Sequence, residues 1–305
     1  MTTENQDLGG YLSGITWGIQ PKPIFCLIHG PDGVGKTTWA SGAPKPIFLG
    51  LESGTSQLNV ARLPKPETFL IFLNQLTGLQ NQDHPFKTVI IDSVDWLEPV
   101  IWRQVCAEGG VKTVEDFGGG FGRGYVRALE IWRGVLKQLE ELSLRFHVIL
   151  IAHSKIKRFD DPRQASPYDR YIIAINDSAA AAIRQATDAV LFASFVEKVK
   201  QTNKFTGKGI GGSERILFCE HTAAFDAKNR FGLPPEIKLE WRDFASRVKA
   251  FYAGEPVLTE GADGQEPAAV AEIAPSQEPK PEPAQTGKVI AEGLREFRQQ
   301  LAESP

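Results

Sequence analysis

The chain has 305 residues, enough for one substantial core of about 250 residues plus a tail, and its 42% apolar and 23% charged content is that of a globular protein. A net charge of −3 excludes a surface coated in positive charge, so nucleic-acid contact would have to come from local loops. The three cysteines, Cys26, Cys106 and Cys219, form no C-x-x-C pair and no zinc signature, and no apolar run approaches the roughly 18 residues of a bilayer span, so free thiols and a cytoplasmic, non-membrane protein are expected.

In chain order, residues 1–20 form a polar lead ending in Gly14-Ile15-Thr16-Trp17-Gly18. An apolar run at 24–28 predicts a buried strand, and His29-Gly30-Pro31-Asp32-Gly33-Val34-Gly35-Lys36-Thr37-Thr38 follows at once. Positions 30–37 fit the phosphate-loop pattern G-x-x-x-x-G-K-[ST], in the strand-to-helix context it requires. The glycines let successive amides of Gly30, Pro31, Asp32, Gly33, Val34 and Gly35 curl around phosphate oxygens, Pro31 lending only its fixed shape. Lys36 would reach the β- and γ-phosphates, Thr37 would hold Mg²⁺, and Thr38 would bond the α-phosphate. The bland alternative is a glycine-rich turn that binds nothing.

A second strand at 47–51 delivers Glu52. Pro66-Glu67 opens a segment with apolar residues at Phe69, Phe72, Leu73, Leu76 and Leu79, a helical period. Val89-Ile90-Ile91-Asp92 reads as a buried strand ending in a carboxylate, and Trp96, Leu97, Val100 and Ile101 begin another helix. A glycine-rich loop at 117–124 precedes a long amphipathic helix at 125–144, and a strand at 146–152 ends at His153-Ser154. The polar, basic segment 155–176 is longer than an ordinary connection, which makes it a functional loop or a disordered one. An Ala-rich helix from about Ser178, strands at 188–193 and 215–218, and a turn at Lys228-Asn229-Arg230-Phe231-Gly232 complete a core over 21–252. Residues 253–287, rich in Pro, Glu, Ala and Gln, read as a disordered tether. In 288–305, Val289, Ile290, Leu294, Phe297 and Leu301 share one helical face that could dock on its own domain, a neighbouring subunit or a partner.

Among the acids, Asp92 at a strand tip is the natural Mg²⁺ carboxylate, with Asp95 as its rival. Glu52, at the same kind of tip, could orient or deprotonate water, with a solvated loop acid as the alternative. His153 could bond the γ-phosphate and report its loss to the segment that follows, or simply cap its strand. Arg123, Lys155, Lys157, Arg158, Arg163 and Arg170 could neutralise nucleic-acid phosphates, with Phe121, Tyr125, Phe159 and Tyr168 as stacking faces, although Asp160, Asp161 and Asp169 dilute that charge.

The order of parts resembles the core of RecA-type ATPases over about residues 15–252. It looks most like the phage single-strand annealing and recombination ATPases of the Sak group, also grouped as phage AAA-type nucleotide-binding proteins. That resemblance implies an α/β P-loop NTPase fold with a RecA-like core and a largely parallel central sheet flanked by helices. It also implies ATP and Mg²⁺ as cofactors, Glu52 as catalytic carboxylate, Asp92 on the metal, and His153 where many relatives have Gln. The loops at 118–124 and 155–176 would be the DNA-binding loops. The string 228–232 resembles the hallmark of RadA branch-migration ATPases, making Lys228 and Arg230 candidates to act on a neighbour's γ-phosphate, with a plain basic turn as the alternative. The chain lacks RadA's zinc-binding cysteines and protease-like domain. The expected partners are single-stranded DNA, further copies in a ring or filament, and a single-strand-binding protein; the competing function is a P-loop switch or small-molecule kinase with no DNA role.

Overall fold

The computed structural model describes residues 14–255 apart from 53, 163–165 and 202–206, with 197–213 described by backbone alone. The expected tether beyond residue 255, the C-terminal helix and Arg163 lie outside the described residues.

Among the described residues ten strands form the sheet: β1 (Phe25–Gly30), β2 (Pro46–Gly50), β3 (Ala61–Leu63), β4 (Thr88–Asp92), β5 (His147–Phe159), β6 (Tyr168–Ile173), β7 (Ala189–Gln201), β8 (Gly207–Phe218), β9 (Lys228–Asn229) and β10 (Glu236–Lys238). Six of them run parallel in the order β3-β2-β4-β5-β1-β7. β8 and β10 extend the sheet beyond β7 by antiparallel pairing. The helices are α1 (Lys36–Ser41), α2 (Phe69–Asn81), α3 (Val94–Gly109), α4 (Arg123–Leu142), α5 (Asp177–Ala186) and α6 (Trp241–Ala253), with a 3₁₀ segment at Val114–Gly119.

Every residue of β1 and of β4 is buried, as parallel strands covered on both faces must be. Their side chains alternate between two cores. Phe25, Leu27, Leu49, Ile91 and Leu150 join the core packed by α2 to α5; Cys26, Ile28, Phe48, Ile90 and Ile149 join the core under α1 and α6. On α4, Ala128, Ile131, Trp132, Val135, Leu136, Leu139 and Leu142 repeat at three- and four-residue steps and bury one face. The expected fold class is the observed one. No helix among the described residues is long and apolar enough to cross a membrane.

Three details depart from expectation. α2 opens at Phe69 because Thr68, whose hydroxyl accepts the Ile71 N–H at 3.3 Å, is its cap; Pro66 lies outside. The segment 155–176 is mostly a β-hairpin: β5 runs on past the sheet to Phe159 and pairs antiparallel with β6. β7 and β8 likewise continue well past the short strands expected at 188–193 and 215–218.

Candidate nucleotide site

Parallel pairing brings the sequence's strand-end residues to one edge. Gly30 at the end of β1 lies opposite His153 of β5, Asp92 of β4 lies opposite Ile151, and Gly50 of β2 lies opposite Asp92, so Glu52 follows just beyond that tip. Ligands of open parallel sheets collect at this carboxyl edge.

The loop from Gly30 to Thr37 turns there under steric rules that only glycine meets. Gly33 and Gly35 have φ of 72° and 103°, in the left-handed range, and a Cβ at Gly30 would sit 2.2 Å from the Ala193 carbonyl oxygen on β7. Lys36 is buried, and its ammonium donates to the Gly30 and Pro31 carbonyls at 2.9 Å each. Burial lowers its pKa, while Asp32, Asp95, Asp92 and Glu52 act to raise it. It is one cation facing four carboxylates.

Asp92 is only 1% exposed, and neither carboxylate oxygen has a hydrogen-bond partner among the described residues. Burial, with Glu52 adding repulsion, pushes its pKa up to about 6; the Thr37 hydroxyl, His153 and Lys36 pull the other way. An orphaned buried carboxylate beside a threonine hydroxyl fits Mg²⁺, which takes one or two protein oxygens and draws its other ligands from phosphate and water. Consistent with so sparse a donor set, the described residues contain no cluster of three or more acidic, histidine or cysteine ligands. Asp95 has a different task. It accepts the His153 backbone N–H at 2.9 Å and faces His153 Nδ1 at 2.8 Å. Burial acts to raise the Asp95 pKa, but the bonds from His153 bring it below the ordinary value. His153 is raised in turn, chiefly by that Asp95 bond, and its Nε2 lies 3.3 Å from Asp32. The imidazole thus bridges strand tip and phosphate loop.

Elsewhere the structure separates what the sequence grouped. Phe121 is 98% exposed, Arg123 donates to the Gly118 carbonyl, and the Tyr125 hydroxyl bonds Glu115. In the hairpin, Lys155 donates to the Ile175 carbonyl, Lys157 pairs with Asp177, and Arg158 is exposed. Arg170 corrects the expectation of a free phosphate contact: it is buried, paired with Asp226, and stacked with its guanidinium 5.6 Å from the Phe159 ring. Lys228 is a second correction. Its ammonium donates to the Arg184, Gln185 and Thr187 carbonyls and caps the end of α5, so it is not free to reach a neighbour. Arg230 pairs with Asp188 at 3.3 Å, with its side chain 55% exposed.

A buried polar network went unseen in the sequence. His29, one residue before the loop, has Nε2 2.8 Å from the Asp226 carbonyl oxygen, so Nε2 carries the proton and Nδ1 accepts from the Ser154 hydroxyl at 2.9 Å. Burial pushes the His29 pKa down to about 4 and keeps it neutral. Asp226 also takes Arg184 at 3.2 Å. These residues come from β1, β5, β6, α5 and the β8–β9 connection, and no local pattern announces them.

Sheet order, phosphate loop and strand-tip acids define a P-loop NTPase fold. The chain belongs to the AAA domain family, whose model matches residues 22–231, and is accordingly a nucleotide-binding ATPase domain. It is 27% identical over 147 residues to the SPbeta prophage-derived uncharacterized protein YorG of Bacillus subtilis (strain 168), covering 47% of this chain and 44% of that one. The matched part is thus less than half of that relative's length. Among solved structures, the flagellar accessory protein FlaH from Methanocaldococcus jannaschii is similar over 71% of this chain and 84% of its own, with 11% identity and a TM-score of 0.31.

Proposed function

We propose that this chain is an ATP-dependent single-stranded DNA-binding ATPase of the recombination or annealing kind, related to the phage Sak group and acting in the cytoplasm as a head-to-tail ring or filament. The observation that carries the reading is the continuity of β5. The same strand bears His153 at the nucleotide edge and then runs into the hairpin that carries Lys155, Lys157 and Arg158. A change at the γ-phosphate can therefore tilt the hairpin through one rigid element.

In this reading Lys36 leaves the Gly30 and Pro31 carbonyls for the β- and γ-phosphates, and the backbone N–H groups of 30–38, Pro31 excepted, cradle the rest. Thr37 and Asp92 would hold Mg²⁺, whose chemistry there would be to offset charge on the phosphoryl oxygens. Glu52 orients the attacking water and takes its proton. His153, anchored by Asp95, contacts the γ-phosphate and moves when it is lost. Bases stack on Phe121, and backbone phosphates meet Arg123, Lys155 and Arg158. Arg230 is the candidate to act on a neighbour. It follows β9, which pairs with the amino-terminal end of β7, at the opposite edge from the loop, where a head-to-tail copy would meet it. Asp188 would keep Lys22 as its counter-ion.

The test is the ATPase rate with and without a single-stranded oligonucleotide. Several-fold stimulation, lost in Lys36→Ala, is expected. One observation favours a second reading, a P-loop switch without a DNA role: Lys157, Arg170 and Lys228 are already engaged within the chain. A rate indifferent to oligonucleotide at low salt would select that reading.

A further inference from the structure

Charge at the nucleotide edge does not balance. Lys36 stands against Asp32, Asp92, Asp95 and Glu52, and a nucleoside triphosphate would bring several more negative charges. Mg²⁺ offsets two of them. His153, which the proposed function brings to the γ-phosphate, already faces Asp95 at 2.8 Å and Asp32 at 3.3 Å, so it does little to offset the added charge. A further cation from the same chain would offset that excess, and β8 carries one close to the phosphate loop.

Arg215 lies on β8 opposite Phe195 of β7. Ala193, which crowds Gly30, is two residues before Phe195, so Arg215 stands just past the phosphate loop on the same edge. Its guanidinium carbon lies 5.7 Å from the centroid of the Phe195 ring, within cation–π range. Its Nη1 lies 2.7 Å from the point a Cβ on Gly35 would occupy, and Leu239 Cδ2 lies 3.8 Å from that point. Gly35 is required to be glycine by its left-handed φ of 103°, and the Arg215 guanidinium lies against the face it leaves bare.

We infer that Arg215 is a nucleotide-binding residue supplied by the same chain, clamping the phosphate groups of a nucleoside di- or triphosphate against the loop at Gly35. The inference rests on the loop being the nucleotide site. The planar fork of arginine suits two oxygens of a phosphate group at once, and its position needs no neighbouring subunit. Its anchorage on β8 also ties nucleotide binding to the β7–β8 pair, which continues outward from the site.

The experiment is a titration of fluorescently labelled ADP and ATP into the full-length protein and its Arg215→Ala, Arg215→Lys and Lys36→Ala variants. Thermal melting run in parallel confirms that each variant is folded; Arg215 is exposed, so its loss should leave the melt unchanged. Arg215→Ala should weaken both nucleotides about tenfold or more, with Arg215→Lys intermediate because a point charge replaces the fork. Arg215→Ala binding as tightly as wild type, while Lys36→Ala binds weakly, would overturn this inference and leave the phosphate-loop site standing. Lys36→Ala binding as tightly as wild type would instead remove the site itself. If Arg215→Ala melts early, Arg215→Lys decides: unchanged affinity for both nucleotides with a wild-type salt dependence overturns the clamp, whereas weakened affinity supports it.

Discussion

Asp92 and Asp226 are both largely withdrawn from water, yet they are treated in opposite ways. Asp226 at the foot of the hairpin takes Arg170 and Arg184, and its backbone carbonyl takes His29. Asp92 at the phosphate edge has no hydrogen-bond partner among the described residues. The first region is a network bonded within the chain, although the Arg170 Nε has no hydrogen-bond partner among the described residues. The second keeps a carboxylate bare and a lysine on loan to two carbonyls, an arrangement that lowers stability and makes sense only if a cation and phosphates complete it. The difference separates structural charge from functional charge without recourse to any motif.

The sharpest way to break this contrast is Asp92→Asn. Turnover should fall by at least about a hundredfold, since the metal loses its charged ligand. The nucleotide-free, Mg²⁺-free protein should nevertheless become more stable. The folded pKa of about 6 lies above the ordinary 3.8, so at pH 7 the folded state bears the harder charge, and the amide relieves it by on the order of 2 kcal/mol. A lower melting temperature for Asp92→Asn would mean that the carboxylate is structurally satisfied after all. The converse experiment is Arg170→Ala, which should cost about 3 kcal/mol by stripping Asp226 of its closest ion partner. Adding Asp226→Asn should recover part of that loss in denaturant unfolding, as an additive pair of losses would not.

A subtler probe uses pH. The folded pKa of His29, about 4, lies below its ordinary value of 6.5, so as pH falls through that window the unfolded chain takes up a proton that the folded chain refuses. Stability therefore falls on acidification, by about 2 kcal/mol from pH 6.5 to 5. Asp92 acts with the opposite sign over part of the window, so the informative quantity is the slope of wild type minus that of His29→Asn. Equal slopes would show that the imidazole is not held neutral.

How much of this was legible follows the same division. The phosphate loop, Asp92, Glu52 and His153 are local signals at the ends of apolar runs, and parallel pairing alone suffices to gather them on one edge. The hairpin at 155–176 was misread because Lys157, Arg158, Asp160, Asp161 and Asp169 give it the polarity of a loop. Its pairing is set by register with β5 and by Arg170 turning inward to Asp226, 56 residues away. Lys228 looked like a reaching cation for the same reason, since a five-residue string cannot reveal that α5 ends within its grasp. Arg215 carries no motif at all, and only strand pairing puts it beside Gly35.

The smallest effect on the fold should come from Phe121→Ala, and for that reason it discriminates best. Phe121 is 98% exposed at the tip of the glycine-rich loop, so removing its ring takes almost nothing from the core, and stability should stay within about 0.5 kcal/mol of wild type. Nucleotide affinity should be unchanged as well, because Phe121 has no part in the proposed phosphate or Mg²⁺ contacts. What should fall is oligonucleotide binding and the stimulation of hydrolysis, since one stacked base contributes about 1–3 kcal/mol in sequence-tolerant single-strand binding. Unchanged oligonucleotide affinity in Phe121→Ala, measured at low salt where phosphate contacts are strongest, would remove this ring from the DNA surface and leave the exposed cations of β5 to carry it alone.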